Sequence, residues 1–167
     1  MFIGVDRKKY GMTTVHLHLL LNHIPILGSI FITVLFIVAL IYRNTFLQKV
    51  SLWFLVVVAL FTAATYLTGD GAAQAVQGLP GVSENMIHIH ETVGKVGLGL
   101  MFVTGAIALG GALFYSFRPK LPRLLLTVVL FILLLNCGVF VYIGYLGGQI
   151  HHPEIRGLSS QHLSSVY

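Results

Sequence analysis

At 167 residues, 56% hydrophobic and only 9% charged, the chain carries far too few charges for a water-soluble globule, in which roughly 25% of residues are charged. Its formal net charge is +5, but in so apolar a chain the placement of charge across a bilayer matters more than the total, which argues against a nucleic-acid partner. The lone Cys137 lies in an apolar run, so an intrachain disulfide and a C-x-x-C-H covalent haem attachment are both excluded.

Residues 1–13 mix Asp6, Arg7, Lys8 and Lys9 with aromatics and read as an N-terminal arm. The first apolar helix is expected over 14–42, with Thr13 or Thr14 as its cap. It is far longer than a signal-peptide core of roughly 7–15 residues and is read as a retained transmembrane helix. Pro25 removes a backbone donor and is expected to kink this helix just beyond Asn22 and His23. A short basic loop leads to a second helix over 51–68, which Thr68-Gly69-Asp70-Gly71 is expected to stop. The Leu79-Pro80-Gly81 turn precedes a third, glycine-rich helix over 84–117, and Arg118-Pro119-Lys120-Leu121-Pro122-Arg123 turns the chain into a fourth over 124–150. Residues 151–167 form a polar tail. The expected fold is all-α, an integral membrane four-helix up-down-up-down bundle spanning 14–150.

Four crossings put both termini on one side. The two short loops hold Arg43, Lys49, Arg118, Lys120 and Arg123 with no acid. At the opposite end Arg7, Lys8, Lys9, Lys95 and Arg156 balance Asp6, Asp70, Glu84, Glu91 and Glu154. Lysine and arginine bias therefore places the short loops in the cytoplasm and both termini, with the histidine-rich end, outside.

All eight histidines fall on that outer side: His16, His18 and His23 in the first helix, His88 and His90 in the third, His151 and His152 at the end of the fourth, and His162 in the tail. His23 and His90 lie at similar depth, about 13 Å and about 10 Å into their helices. In an up-down bundle those two helices are diagonal, so the pair can face one central space as axial ligands of a b-type haem. Gly94 and Gly97 follow His90 at helical spacing and leave room for a porphyrin edge, and Lys95 can meet a propionate or pair with Glu91. His16, with His151 or His152, could form a second, shallower ligand set, to which His88 and Glu91 could add donors. His18 and His162 read as interfacial anchors, and Tyr66, Tyr142 and Tyr145 as belt residues.

The segments Leu21-Asn22-His23-Ile24-Pro25-Ile26-Leu27-Gly28, Tyr66-Leu67-Thr68-Gly69-Asp70, Leu79-Pro80-Gly81-Val82-Ser83 and His90-Glu91 resemble the bacterial membrane family called domain of unknown function 2231. The resemblance implies a four-helix membrane module similar in layout to cytochrome b561-like haem-binding bundles, with His23 and His90 at its most distinctive positions. It differs from di-haem proteins of that type, which carry histidines toward both membrane faces.

The expected function is a b-type haem electron-transfer protein, or a small redox subunit of a respiratory complex, rather than a stand-alone enzyme. Its expected partners are the lipid bilayer, quinone, and redox subunits such as a c-type cytochrome. Two alternatives compete with it. One is a non-haem zinc, copper or iron site built from the imidazoles and Glu91; the other is a structural subunit of a larger membrane assembly.

Overall fold

The structure is a computed structural model that describes residues 7–152 and 154–155, with side-chain surroundings from Thr14 onward. Residues 1–6, Pro153 and 156–167, including Asp6, Arg156 and His162, lie outside the described residues. The described chain is helical throughout, without strands: α1 (Arg7–Leu21), α2 (His23–Ile41), α3 (Thr45–Val76), α4 (Glu84–Tyr115) and α5 (Arg123–His151). With α1 and α2 taken as one interrupted span, four spans are long and apolar enough to cross a membrane: Thr14–Ile41, Thr45–Val76, Glu84–Tyr115 and Arg123–His151. At about 1.5 Å per residue each exceeds a hydrocarbon layer of about 30 Å.

The break between α1 and α2 follows from Pro25. Proline has no N–H to return to the carbonyl four residues earlier, that of Leu21. The Thr65 hydroxyl of α3 lies 3.1 Å from that freed carbonyl and 2.8 Å from the Phe61 carbonyl of its own helix, and shares its one proton between them. The interruption is a single residue, Asn22, which keeps helical dihedrals (φ −64, ψ −22) and donates its N–H to the His18 carbonyl at 2.9 Å. The kink thus lies where the proline predicts it, although the helix begins before Thr14, at Arg7.

The second span differs more from expectation. It starts at Thr45, because Asn44 takes the Leu47 N–H at 3.1 Å and caps it, so the basic loop contracts to a tight turn. It also runs through Gly69 and Gly71 to Val76. Those glycines do not end the helix; they admit α1. A Cβ on Gly71 would stand 2.7 Å from Thr14 Cγ2, and one on Gly69 3.7 Å from His18 Cε1. The glycine that ends the helix is Gly78, with φ +78, just after the C-cap residue Gln77. Ser83 caps α4, accepting from Met86 N at 3.3 Å.

The spans pack in a ring. The α1–α2 span lies against α3, α3 against α4, α4 against α5, and α2 closes on α5; the backbones of α4 and the first span, and of α3 and the fourth, do not come to packing distance. The first and third spans are therefore diagonal. Small residues bring neighbouring spans close, as at Gly28 against Val58, Gly105 against Ala59 and Gly97 against Ile143. In lipid, where apolar side chains gain little by leaving their surroundings, such close contacts at small residues hold helices together. The core between them is filled by Ile32, Phe36, Leu52, Leu55, Met101, Val129 and Leu133. Large apolar side chains such as Phe31, Leu60, Phe102 and Phe131 point outward. At the basic end the Lys49 ammonium donates to the Ser116 and Arg118 carbonyls, both at 2.8 Å, and so neutralises the C-terminus of α4.

Candidate functional site

At the histidine end the four spans enclose a cavity of about 460 Å³. Its floor is formed by Pro25, Ile26, Thr62, Leu98 and Phe140, and its walls carry His18, His23 and His90.

His18 and His90 belong to the interior faces of their helices. Counting from His18 in steps of three and four gives Asn22, Pro25, Ser29, Ile32 and Phe36, of which the last four are buried. From His90 the same steps give Gly94, Gly97, Met101, Thr104 and Ala108, again buried from the second onward. The two imidazoles therefore approach the cavity from diagonal spans.

Each ring is held by its Nδ1. His18 Nδ1 lies 3.1 Å from the Thr65 carbonyl and 3.0 Å from Thr68 Oγ1, whose own proton goes to the Thr65 carbonyl at 2.7 Å. His90 Nδ1 lies 3.1 Å from the Ile143 carbonyl. A carbonyl only accepts, so both rings donate through Nδ1–H, and Nε2 keeps its lone pair. This is the arrangement by which a hydrogen bond to one ring nitrogen orients the other as a ligand. Gly147 makes it fit: a Cβ there would stand 3.2 Å from His90 Cε1, so the ring rests against bare α5 backbone.

The other expected site residues are distributed as follows. His23 reaches the cavity wall, but it is exposed and its Nδ1–H is returned to the Leu19 carbonyl of the preceding turn at 2.7 Å. It shares its helix stripe with Leu27, Ile30 and Val34, all facing outward. Gly94 lines the cavity with nothing within 4 Å of its missing side chain. Gly97 lies outside the lining, packed under Ile143, whose Cδ1 would be 2.6 Å from a Cβ on it. Glu91 lines the wall and pairs with Lys95 at 2.7 Å, as the spacing predicts. Lys95 is exposed and is not part of the lining, while Tyr66 and Asp70 are. His16 and His88 are exposed and outside the lining; His151 and His152 reach it at the rim, His152 with its Nδ1 2.6 Å from Glu154. Among the described residues no three His, Cys, Asp or Glu side chains converge as a set that could hold a metal ion.

Two polar residues that spacing alone did not single out are Asn22 and Asn136, each with a buried Oδ1 that has no hydrogen-bond partner among the described residues. Asn22 lines the cavity. Asn136, fully buried near the middle of α5, donates to Thr104 Oγ1 at 2.7 Å and to the Ile132 carbonyl at 3.0 Å.

No protein-family model, curated protein or solved structure matches the chain.

Proposed function

We propose that the chain is a membrane-embedded b-type haem protein that transfers electrons, with His18 and His90 as the axial ligands. The observation that carries this reading is the pair of imidazoles on diagonal spans, each lining one largely apolar cavity and each fixed through Nδ1–H, which leaves the Nε2 of both rings its lone pair. Two nitrogen donors suffice for an iron porphyrin, whose other four are its own. A bare zinc, copper or iron ion would need at least a third protein donor. The fit is supported by the cavity, which at about 460 Å³ falls within the range of roughly 300–1,000 Å³ typical of cofactor sites. It is supported as well by Gly94, which lines the cavity with open space where a side chain would stand.

The haem iron would supply one-electron exchange. The protein's own part is to hold the ligands and exclude water. Thr65 and Thr68 orient His18, the Ile143 carbonyl orients His90, and the floor of Pro25, Ile26, Leu98 and Phe140 keeps the surroundings apolar. His23 passes from ligand to wall residue.

The rest of the reading follows charge and connectivity. The opposed residue numbering along each seam and the short turns support an up-down-up-down bundle with both termini on one side. The basic turns support a cytoplasmic location for that end, hence a bacterial inner membrane with the cavity toward the periplasm. The resemblance to domain of unknown function 2231 and to b561-like bundles points the same way. It makes a respiratory redox complex, with quinone or a c-type cytochrome as partner, the setting for this electron carrier.

The test is the reduced-minus-oxidised visible spectrum of the detergent-purified protein beside His18→Ala, His90→Ala and His23→Ala. The expected result is a sharp b-type α band that both His18→Ala and His90→Ala abolish and His23→Ala retains. A flat spectrum from protein made with ample haem, or a band that survives loss of both His18 and His90, would sink the reading.

A further inference from the structure

We infer that the cavity is loaded sideways, from within the bilayer, through a gap between α1 and α5, and that it takes an amphiphile that partitions into lipid. The inference rests on the haem reading for the identity of that amphiphile, haem itself, and on geometry alone for the route.

The ring of spans is closed on three seams and open on part of the fourth. α2 packs against α5, but the backbones of α1 and α5 nowhere approach to packing distance. One contact between the first and fourth spans is Ile26 against Gly144, where a Cβ on the glycine would lie 3.1 Å from Ile26 Cδ1. Above that contact the two walls are pulled apart by their other neighbours. Thr65 holds the Leu21 carbonyl, and His18 bonds to Thr65 and Thr68, so α1 is tied to α3. The Ser83 N–H donates to the Ile150 carbonyl at 3.1 Å, so the end of α5 is tied to the start of α4. The proline break at Asn22 lets α1 take this course while α2 stays against α5.

The edges of the gap match the two ends of an amphiphile. Leu19 both lines the cavity and is 52% exposed, so it marks the mouth, and it is apolar. Gly148, one turn beyond Gly144 on the same face of α5, also lines the cavity and has no side chain. His151 and His152, exposed at the end of α5, form a polar upper edge suited to an ionised head group. A lipid-borne molecule can pass its flat apolar body between Leu19 and Gly148 while its polar end stays at the interface.

The experiment uses the full chain in lipid vesicles. Gly148→Trp fills the gap; because nothing lies within 4 Å of the missing Cβ, the fold has room for it. Gly138→Trp, at an equally open glycine on the exposed side of the same helix, is the control. Two readouts are taken. In the first, a photoreactive hydrocarbon dissolved in the bilayer labels the cavity-wall segment 62–66; the expected result is labelling in wild type and in Gly138→Trp, and its loss in Gly148→Trp. In the second, haem is supplied in donor vesicles and uptake is followed by the Soret band. Gly148→Trp is expected to slow uptake roughly ten-fold relative to Gly138→Trp, with an unchanged thermal midpoint. Absence of labelling in wild type, equal labelling in both variants, or equal uptake rates would overturn the lateral route. If the wild type takes up no haem at all, the haem assignment fails, while the labelling still decides the route.

Discussion

Single side chains decide which histidines can act. His18 and His23 are five residues apart, so they point about 140° apart around the helix. One stripe runs on through Pro25, Ser29, Ile32 and Phe36 into the core, and the other through Leu27, Ile30 and Val34 into lipid. That distinction was legible in the sequence, since the small and polar residues Ser29 and Thr33 lie near the His18 stripe and uninterrupted large apolar ones on the other. Matching His23 to His90 by depth alone overlooked it. What could not be read from spacing is the freed Leu21 carbonyl and its capture by Thr65, a long-range contact that decides how α1 leans. Asn136 gives a test at the same scale. Its Oδ1 has no partner among the described residues at the centre of the bundle, and an unsatisfied buried acceptor costs about 1–3 kcal/mol. Asn136→Leu, close in volume, is expected to leave the protein at least as stable as wild type in detergent unfolding. A clear loss of stability would show that this oxygen has a partner of its own.

At the scale of the helix, glycine serves two opposite purposes in this chain, and only packing tells them apart. Gly78 terminates α3, whereas Gly69 and Gly71 lie inside it and face α1. A sequence reading sees the same residue type in both settings, and the expected stop at Thr68 came eight residues too early. The difference is measurable along α4. A Cβ on Gly105 would stand 2.6 Å from Ala59 Cβ, a short side chain that cannot swing aside. Overpacking of this kind costs about 1–3 kcal/mol, more than the roughly 1 kcal/mol a helix gains from alanine over glycine. Gly105→Ala is therefore expected to destabilise the bundle. Gly99→Ala, exposed and with nothing within 4 Å, is expected to be neutral or stabilising in the same unfolding assay. Pro25→Ala restores an N–H for the Leu21 carbonyl and displaces Thr65 from it. The expected outcome is retained helical circular dichroism with haem binding weakened about ten-fold or more, because α1 no longer holds His18 over the cavity.

The molecule as a whole is polar in the sense of a magnet. One end carries two tight basic turns, joined by Lys49 to the end of α4, and the other carries the histidines and the cavity. The four spans were legible from hydropathy, as was the segregation of histidines; the bounds of the second span and the enclosed space were not, because they depend on which helix faces pack. The proposed orientation predicts that, with Cys137 replaced by alanine, Leu79→Cys reacts with a membrane-impermeant maleimide on intact cells and Lys120→Cys reacts only after lysis. The reverse pattern would invert the assignment.

The cavity reaches no deeper than Phe140, 11 residues or about 17 Å in from His151 along a 29-residue helix. Moving one charge across the full membrane potential costs about 2.3 kcal/mol per 100 mV, but a redox centre held there would exchange electrons with partners on its own side and cross only a fraction of that field. On the haem reading, turnover at this site is therefore nearly electrically silent: it neither generates membrane voltage nor is strongly slowed by it.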